Sequence, residues 1–144
     1  MIIYTKEDIF SYKYPYIIAH VCNNVGAWGS GFTAAIDKKY PEVKLFYKEF
    51  KNKDLGSCQA VGIKNILFYN MIAMNGIRSK KNIMPLRYEA LDRCLRHVKL
   101  FSDNFPVHMP KIGSGLAGGD WDKIEEMLNK VFANKEVFVH LRSV

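Results

Sequence analysis

Little in this chain points to a membrane, a metal or a disulfide frame. No apolar run in the 144 residues approaches the roughly 20 that a bilayer span needs. The opening segment, Met1 to Asp8, lacks the basic, apolar and small-residue order of a signal peptide. Cysteine is scarce: Cys22, Cys58 and Cys94 are odd in number and far apart. They predict reduced thiols in a cytoplasmic protein rather than a disulfide frame or zinc site. No metal-ligand spacing is visible, so metal independence is expected and no cofactor is called for. The P-loop pattern G-x-x-x-x-G-K-[ST] is missing, which argues against a P-loop NTPase. No Ser-His-Asp or Cys-His arrangement is identifiable. There is no internal repeat, linker or low-complexity tract, and one domain over residues 1–144 is predicted.

What is present is a globular composition with an excess of positive charge. The 49% hydrophobic content excludes a disordered chain. The formal charge of +7 favours anionic partners, a phosphorylated metabolite or nucleic acid. The basic residues are spread out, with mild density at Arg78, Lys80, Lys81 and Arg87, and solvated surface accounts for most of them. Nucleic acid is therefore the weaker of the two partners.

Apolar runs predict strands at residues 2–5, 16–21, 58–63, 66–74, 107–112 and 136–141. Several are apolar throughout, as in strands covered on both faces. Helical spacing predicts helices over 32–40, 42–51, 85–101 and 121–132, with Pro85 in a first turn and Asp120 as an N-cap. The order suggests a mixed sheet between helical layers.

The most informative stretch is Val107 to Trp121. A strand ends at Ile112, glycines follow at 113, 115, 118 and 119, and a helix starts at Trp121. Such a loop offers bare N–H groups to a phosphate. It is no Rossmann loop, because that unit opens the sheet and needs further βα units downstream, and here one strand remains. A second loop of the same kind, Asn23 to Phe32, also links a strand to a helix and carries Gly26, Gly29 and Gly31. Two such loops on one sheet edge could grip two phosphates, or a phosphate and a ribose. Asn23 and Asn24 offer donors and acceptors to sugar hydroxyls, or form Asx turns that satisfy local backbone.

Four segments together resemble the macrodomain family: Glu7-Asp8-Ile9, Ile18 to Asn24, Trp28-Gly29-Ser30-Gly31, and Pro110 to Trp121. The resemblance runs through essentially the whole chain and is nearest to the branch of small ADP-ribose 1″-phosphate phosphatases and terminal ADP-ribose glycohydrolases. It implies a three-layer α/β/α macrodomain with a central mixed sheet. The implied ligand is ADP-ribose or ADP-ribose 1″-phosphate, with ADP-ribosylated macromolecules as further partners. By that resemblance Asp8 accepts from the adenine amino group, Ile9 N–H meets the ring, and Asn23 or Asn24 faces the distal ribose. Gly29, Ser30, Gly31 and Phe32 form one phosphate loop. Gly113, Ser114, Gly115, Leu116, Ala117 and Gly118 form the other. Trp28, between glycines of the first loop, is expected either to cover the phosphate or distal ribose from an exposed, mobile loop or to pack on the next helix.

The glycohydrolases use a lysine and an aspartate where this chain has Met74 and Ala117, which argues against a lysyl intermediate. Lys80 or Lys81 is a remote substitute. The Gly-Leu-Ala-Gly-Gly-Asp-Trp form resembles the phosphatases, and Asp120 and His20 are the expected catalytic pair. Each has a plainer role open to it, Asp120 as helix cap and His20 as a bonded core histidine. His108 and His140, inside strands, are expected to be structural. The alternatives to a phosphatase are a reader of ADP-ribose without catalysis, a glycohydrolase, and an RNA-binding protein driven by charge.

Overall fold

The computed structural model describes residues 1–141. Six strands form one sheet: β1 (Ile2–Thr5), β2 (Tyr16–Asn23), β3 (Cys58–Ile63), β4 (Ile66–Met74), β5 (Val107–Pro110) and β6 (Val137–His140). Their order is β1-β6-β5-β2-β4-β3, with only β3 antiparallel to its neighbour. Four α-helices, α1 (Phe32–Lys39), α2 (Glu42–Glu49), α3 (Tyr88–Leu100) and α4 (Trp121–Val131), cover it. The expected three-layer α/β/α arrangement with a mixed central sheet is what the chain forms.

The layers follow from strand alternation. Ile17, Ala19, Tyr69, Met71, Val107 and Val139 pack with Leu91 and Leu95 of α3 and Ile124 and Leu128 of α4. Ile18 and Phe68 point to the opposite face, where Ile36 of α1 and Val43 of α2 meet them. Each Val, Leu, Ile, Phe or Met among them contributes about 1.5–3 kcal/mol on burial. Cys22 and Cys94 are buried and Cys58 half-buried, all as free thiols.

Several element ends shift by one to three residues from the sequence reading, and three of the differences have a visible cause. β2 runs on to Asn23, past an irregularity between Cys22 and Asn23 that lets Asn23 pair with Met74. β5 stops at Pro110, because Lys111 and Ile112 already belong to the turn into the glycine loop. The third helix does not start at Pro85. Residues 85–87 are extended against the end of β4: Asn75 N–H donates to Pro85 O (2.8 Å), and Arg87 N–H to Ala73 O (2.8 Å). Arg87, at φ −118° and ψ 110°, then leads into α3 at Tyr88. Pairing with β4 thus overrides the local preference of proline for a first helical turn.

The β1–β2 connection is strapped to the sheet by a polar chain. Glu7 O can only accept, so His140 Nδ1 donates to it (2.9 Å). His140 Nε2 must then accept from His108 Nδ1–H (2.8 Å), and His108 Nε2 from Tyr14 O–H (3.1 Å). Both imidazoles are neutral in this arrangement. Burial, with His140 beside it, pushes His108 down to about 3, and burial lowers His140. The strap so held carries Asp8 and Ile9. His108 and His140 thus hold the strap, the structural role expected of these two from the sequence.

Burial also lowers His20 to about 4, against the opposing hydrogen bond to Asn70. All three imidazoles take a proton in the unfolded chain near pH 6.5, well before they do so when folded. The unfolded state binds more protons between the two values, so stability is full above about pH 6.5 and declines below it. Thermal melts in buffers from pH 7 to pH 4 should show Tm falling by on the order of 10 °C. A flat profile over that window would mean the three rings do not stay neutral in the folded protein.

Candidate nucleotide cleft

Parallel strands leave their C-terminal ends on one sheet edge, and a cleft of about 660 Å³ opens there. Its size suits a small-molecule ligand. His20 to Asn23 of β2 line it, with Ala27 to Thr33 of the first glycine loop and Pro110 to Ala117 of the second. Met74, Ile77 and Arg78, at and beyond the end of β4, complete the lining. The two glycine loops follow strands that are neighbours in the sheet, so they converge. The hydrogen direction of Gly31 Cα, where a Cβ would stand, is 3.9 Å from Leu116 Cδ1.

Asn23 shapes the first loop. Its Oδ1 accepts from Val25 N–H (3.1 Å), Ala27 N–H (3.0 Å) and the Tyr47 hydroxyl (3.0 Å), and its Nδ2 donates to Ala27 O (2.8 Å). This is the Asx-turn role with a tertiary anchor added. Asn24 lies outside the lining and ties the loop after β4: its Oδ1 accepts from Gly76 N–H (2.8 Å) and its Nδ2 donates to Asn75 Oδ1 (3.1 Å). Farther on, Thr33 Oγ1 accepts from Gly29 N–H (2.9 Å) and donates to Ser30 O (2.7 Å).

Trp28 is not exposed. It is half-buried, its Nε1 donates to Asp37 Oδ1 (2.8 Å), and its ring packs on Tyr47 with centroids 5.2 Å apart. The packing alternative holds, because the loop folds Trp28 back onto α1 and α2 while Gly29 and Gly31, at positive φ, make the bend.

Main-chain donors dominate the site. The N–H groups of Ser30, Gly31, Ser114, Gly115 and Leu116 make no hydrogen bond among the described residues. α1 starts at Gly31 without a side-chain cap and without an acidic residue in its first turn. Its N-terminus is open to an anion. By contrast, α4 is closed by Asp120, whose Oδ1 accepts from Asp122 N–H (3.0 Å).

The glycines of the second loop divide by use. A Cβ on Gly115 (φ +46°) would meet nothing within 4 Å, and the same is true of Gly29 (φ +115°). These two keep the cleft open. A Cβ on Gly118 would come within 2.5 Å of Ile83 O, and one on Gly119 within 2.5 Å of Gly113 O. Those two let the segment 83–86 press against the loop, where Leu86 N–H donates to Ala117 O (3.1 Å).

His20 forms part of the floor and is 1% exposed. It faces Asn70 across β2 and β4, and Asn70 faces Gln59 across β4 and β3. Asn70 Nδ2 donates to Gln59 Oε1 (2.9 Å), so Asn70 Oδ1 is the atom left to accept from His20 Nε2–H. His20 Nδ1 is thereby fixed as the unprotonated nitrogen. Trp28 and Phe32 lie over the ring at 5.6 and 5.7 Å between centroids. Cys22 Sγ is 3.9 Å from the imidazole, and burial pushes its thiol up, so it stays protonated.

Other expected site residues stand at or beyond the edge. Asp8 accepts from Phe10 N–H (2.9 Å) and lies 3.8 Å from Lys39 Nζ. Ile9 is buried, and its carbonyl accepts from the Tyr16 hydroxyl (2.7 Å). Neither lines the cleft, but Phe10 stacks on Phe32, which does, at 5.9 Å and 9°. Asp120 is exposed and outside the lining. Gly118 is outside it too, in its packing role. Lys80 and Lys81 sit at the exposed turn closed by Ser79 and Asn82 and do not line the cleft. Met74 and Ala117, which the sequence resemblance matches to the glycohydrolase lysine and aspartate, both line it.

Sequence reasoning missed Arg78. Its Nη1 donates to Gly115 O (3.2 Å). The signal was available: residues just past a parallel strand lie at the ligand edge, and the strand ending at Met74 puts 75–78 there. Arg78 and Lys111 are the charged side chains of the lining, which holds no carboxylate. Among the described residues no cluster of three metal-ligating side chains occurs, and no helix is long and apolar enough to cross a membrane.

No family model matches the chain. A protein of unknown function from Bacteroides thetaiotaomicron is 36% identical, covers 97% of both chains and superposes with a TM-score of 0.84. A relative from Lodderomyces elongisporus named ADP-ribose 1″-phosphate phosphatase is 27% identical over 89% of this chain and 91% of its own. A macrodomain protein from Streptomyces coelicolor is 30% identical over 99% of this chain and 100% of its own, with a TM-score of 0.80. Sheet order, paired glycine loops and this likeness over the full length agree: the chain belongs to the macrodomain family.

Proposed function

We propose that the cleft binds ADP-ribose and that the protein hydrolyses ADP-ribose 1″-phosphate to ADP-ribose and phosphate, as a metal-independent cytoplasmic enzyme. The observation that carries this reading is the convergence of two loops with unpaired N–H groups on one cleft whose lining holds two cations and no carboxylate. The phosphatase name of the Lodderomyces relative supports the choice of reaction. In this reading the diphosphate sits between the loops, Asp8 and Ile9 serve the adenine, and Asn23 lies beside the distal ribose.

Water attacks the terminal phosphorus, the bond from phosphorus to the C1″ oxygen breaks, that oxygen takes up a proton from solvent to leave as the free hydroxyl, and main-chain donors and cations offset the charge on the phosphoryl oxygens. The attacking water must lose a proton. His20 Nδ1, neutral above about pH 4 and held in one tautomer by Asn70, is the acceptor on the cleft floor. Asp120, with Oδ1 committed to α4, keeps Oδ2 without a hydrogen bond among the described residues and is the second candidate.

A glycosidic cleavage through lysine has no support at Met74. A reader without catalysis differs only in turnover, so the assay decides. Incubation of the protein with ADP-ribose 1″-phosphate should release inorganic phosphate. His20→Asn should lower kcat by about 100-fold, and Asp120→Ala should lower it without reducing stability by more than the loss of a helix cap, about 1 kcal/mol. Binding of ADP-ribose without phosphate release would leave the reader and remove the enzyme.

The division among glycines gives an independent check. Gly115→Ala should weaken ADP-ribose binding at least about tenfold by placing a methyl where main chain meets ligand, at a stability cost of about 1–2 kcal/mol for the positive φ. Gly118→Ala should be the more destabilising, by roughly 2–4 kcal/mol, because its methyl meets the Ile83 carbonyl. Calorimetry and denaturant melts on both variants measure the two effects. Equal stability losses, with unchanged affinity in Gly115→Ala, would place the ligand elsewhere.

A further inference from the structure

The geometry points to Arg78 as the residue that distinguishes a ligand bearing a terminal phosphate from one without it; this rests on the reading of the cleft as an ADP-ribose site. Of the two cations in the lining, Lys111 holds its Nζ 5.4 Å from the centre of the Trp121 ring. Arg78 is anchored at the second glycine loop through Nη1 and Gly115 O. A guanidinium has five N–H donors, and this is the one hydrogen bond Arg78 makes among the described residues. No described carboxylate forms an ion pair with it. Its charge is therefore uncompensated beside the unpaired N–H groups of Ser114, Gly115 and Leu116. A planar fork with spare donors suits the oxygens of a phosphate.

Sheet order says which end of the ligand Arg78 meets. Five parallel strands present their C-terminal ends on one edge, in the order β1-β6-β5-β2-β4. Asp8 follows β1 and Arg78 follows β4, so they stand on opposite flanks. The two glycine loops, after β5 and β2, lie between them. A ligand with adenine toward Asp8 and diphosphate between the loops brings its terminal ribose toward Arg78. A phosphate on C1″ then meets the guanidinium, whereas a free hydroxyl there leaves most of its donors to water.

The loop that carries Arg78 is pre-formed. Asn82 Nδ2 donates to Asn75 O (2.8 Å) and Ile77 O (3.0 Å), and Ser79 and Asn82 exchange main-chain hydrogen bonds at 3.1 Å. The segment after it is pressed on Gly118 and Gly119. Little ordering is needed when the ligand arrives.

The test compares full-length wild type, Arg78→Ala, Arg78→Lys and Lys44→Ala, the last removing one charge from the exposed face of α2. Steady-state hydrolysis of ADP-ribose 1″-phosphate and calorimetry with ADP-ribose are the two readouts, with Tm recorded for each variant. Arg78→Ala should lower kcat/KM for the phosphate ester at least about tenfold, while Kd for ADP-ribose changes by less than about twofold. Arg78→Lys should recover part of the loss, and Lys44→Ala should match wild type in both. If wild type binds without turnover, the ratio of its Kd values for the two ligands replaces kcat/KM, and Arg78→Ala should abolish the preference for the ester. An equal effect of Arg78→Ala on both ligands, or none on either, overturns the assignment. Failure of wild type itself to bind ADP-ribose sinks the functional reading of the cleft, and with it this inference, and is seen before any variant is compared.

Discussion

The site depends on main-chain N–H groups being left unpaired at a place where the fold can tolerate it. Unsatisfied donors are expensive when buried and cheap when exposed. Here they sit on two loops at the open edge of the sheet, held from behind by side chains that use up the neighbouring polar atoms. Asn23, Thr33 and Tyr47 hold the first loop, and the segment 83–86 holds the second. The result is a rigid cradle with donors already aimed, so charge on a ligand is met without reorganisation.

Beneath the cradle a polar ladder crosses three strands of the sheet. His20, Asn70 and Gln59 stand side by side on three adjacent strands, and Gln59 Nε2 reaches the Phe46 carbonyl of α2 (2.9 Å). No buried side-chain nitrogen or oxygen among the described residues is left without a partner. A ladder with every group satisfied specifies one arrangement, and here it fixes a single tautomer directly under the cleft. The same logic, applied on the other flank through His108 and His140, keeps the strap with Asp8 and Ile9 in place.

Much of this was legible in the sequence, and the failures have physical causes. Apolar runs located all six strands, and they are continuous where β2 and β4, parallel strands covered on both faces, need them. Pro85 misled because pairing with β4 outweighed its local preference. The glycine loops could be found by spacing, yet nothing in the spacing separates Gly115, which faces open space, from Gly118, which faces a carbonyl. Trp28 looked exposed between glycines, whereas Asp37 and Tyr47, distant in the chain, draw it inward. Arg78 was read as one of a group of surface charges, because its hydrogen bond to Gly115 is a tertiary fact, although its place just past β4 puts it at the ligand edge.

The cradle has a kinetic corollary. In the proposed reaction the diphosphate is a spectator, so whatever the glycine loops gain from it they gain equally from reactant and product. Grip of that uniform kind raises occupancy and leaves the barrier untouched. An enzyme built this way tends to become clogged by its own ADP-ribose, and its pace is then set by how fast the spent nucleotide escapes.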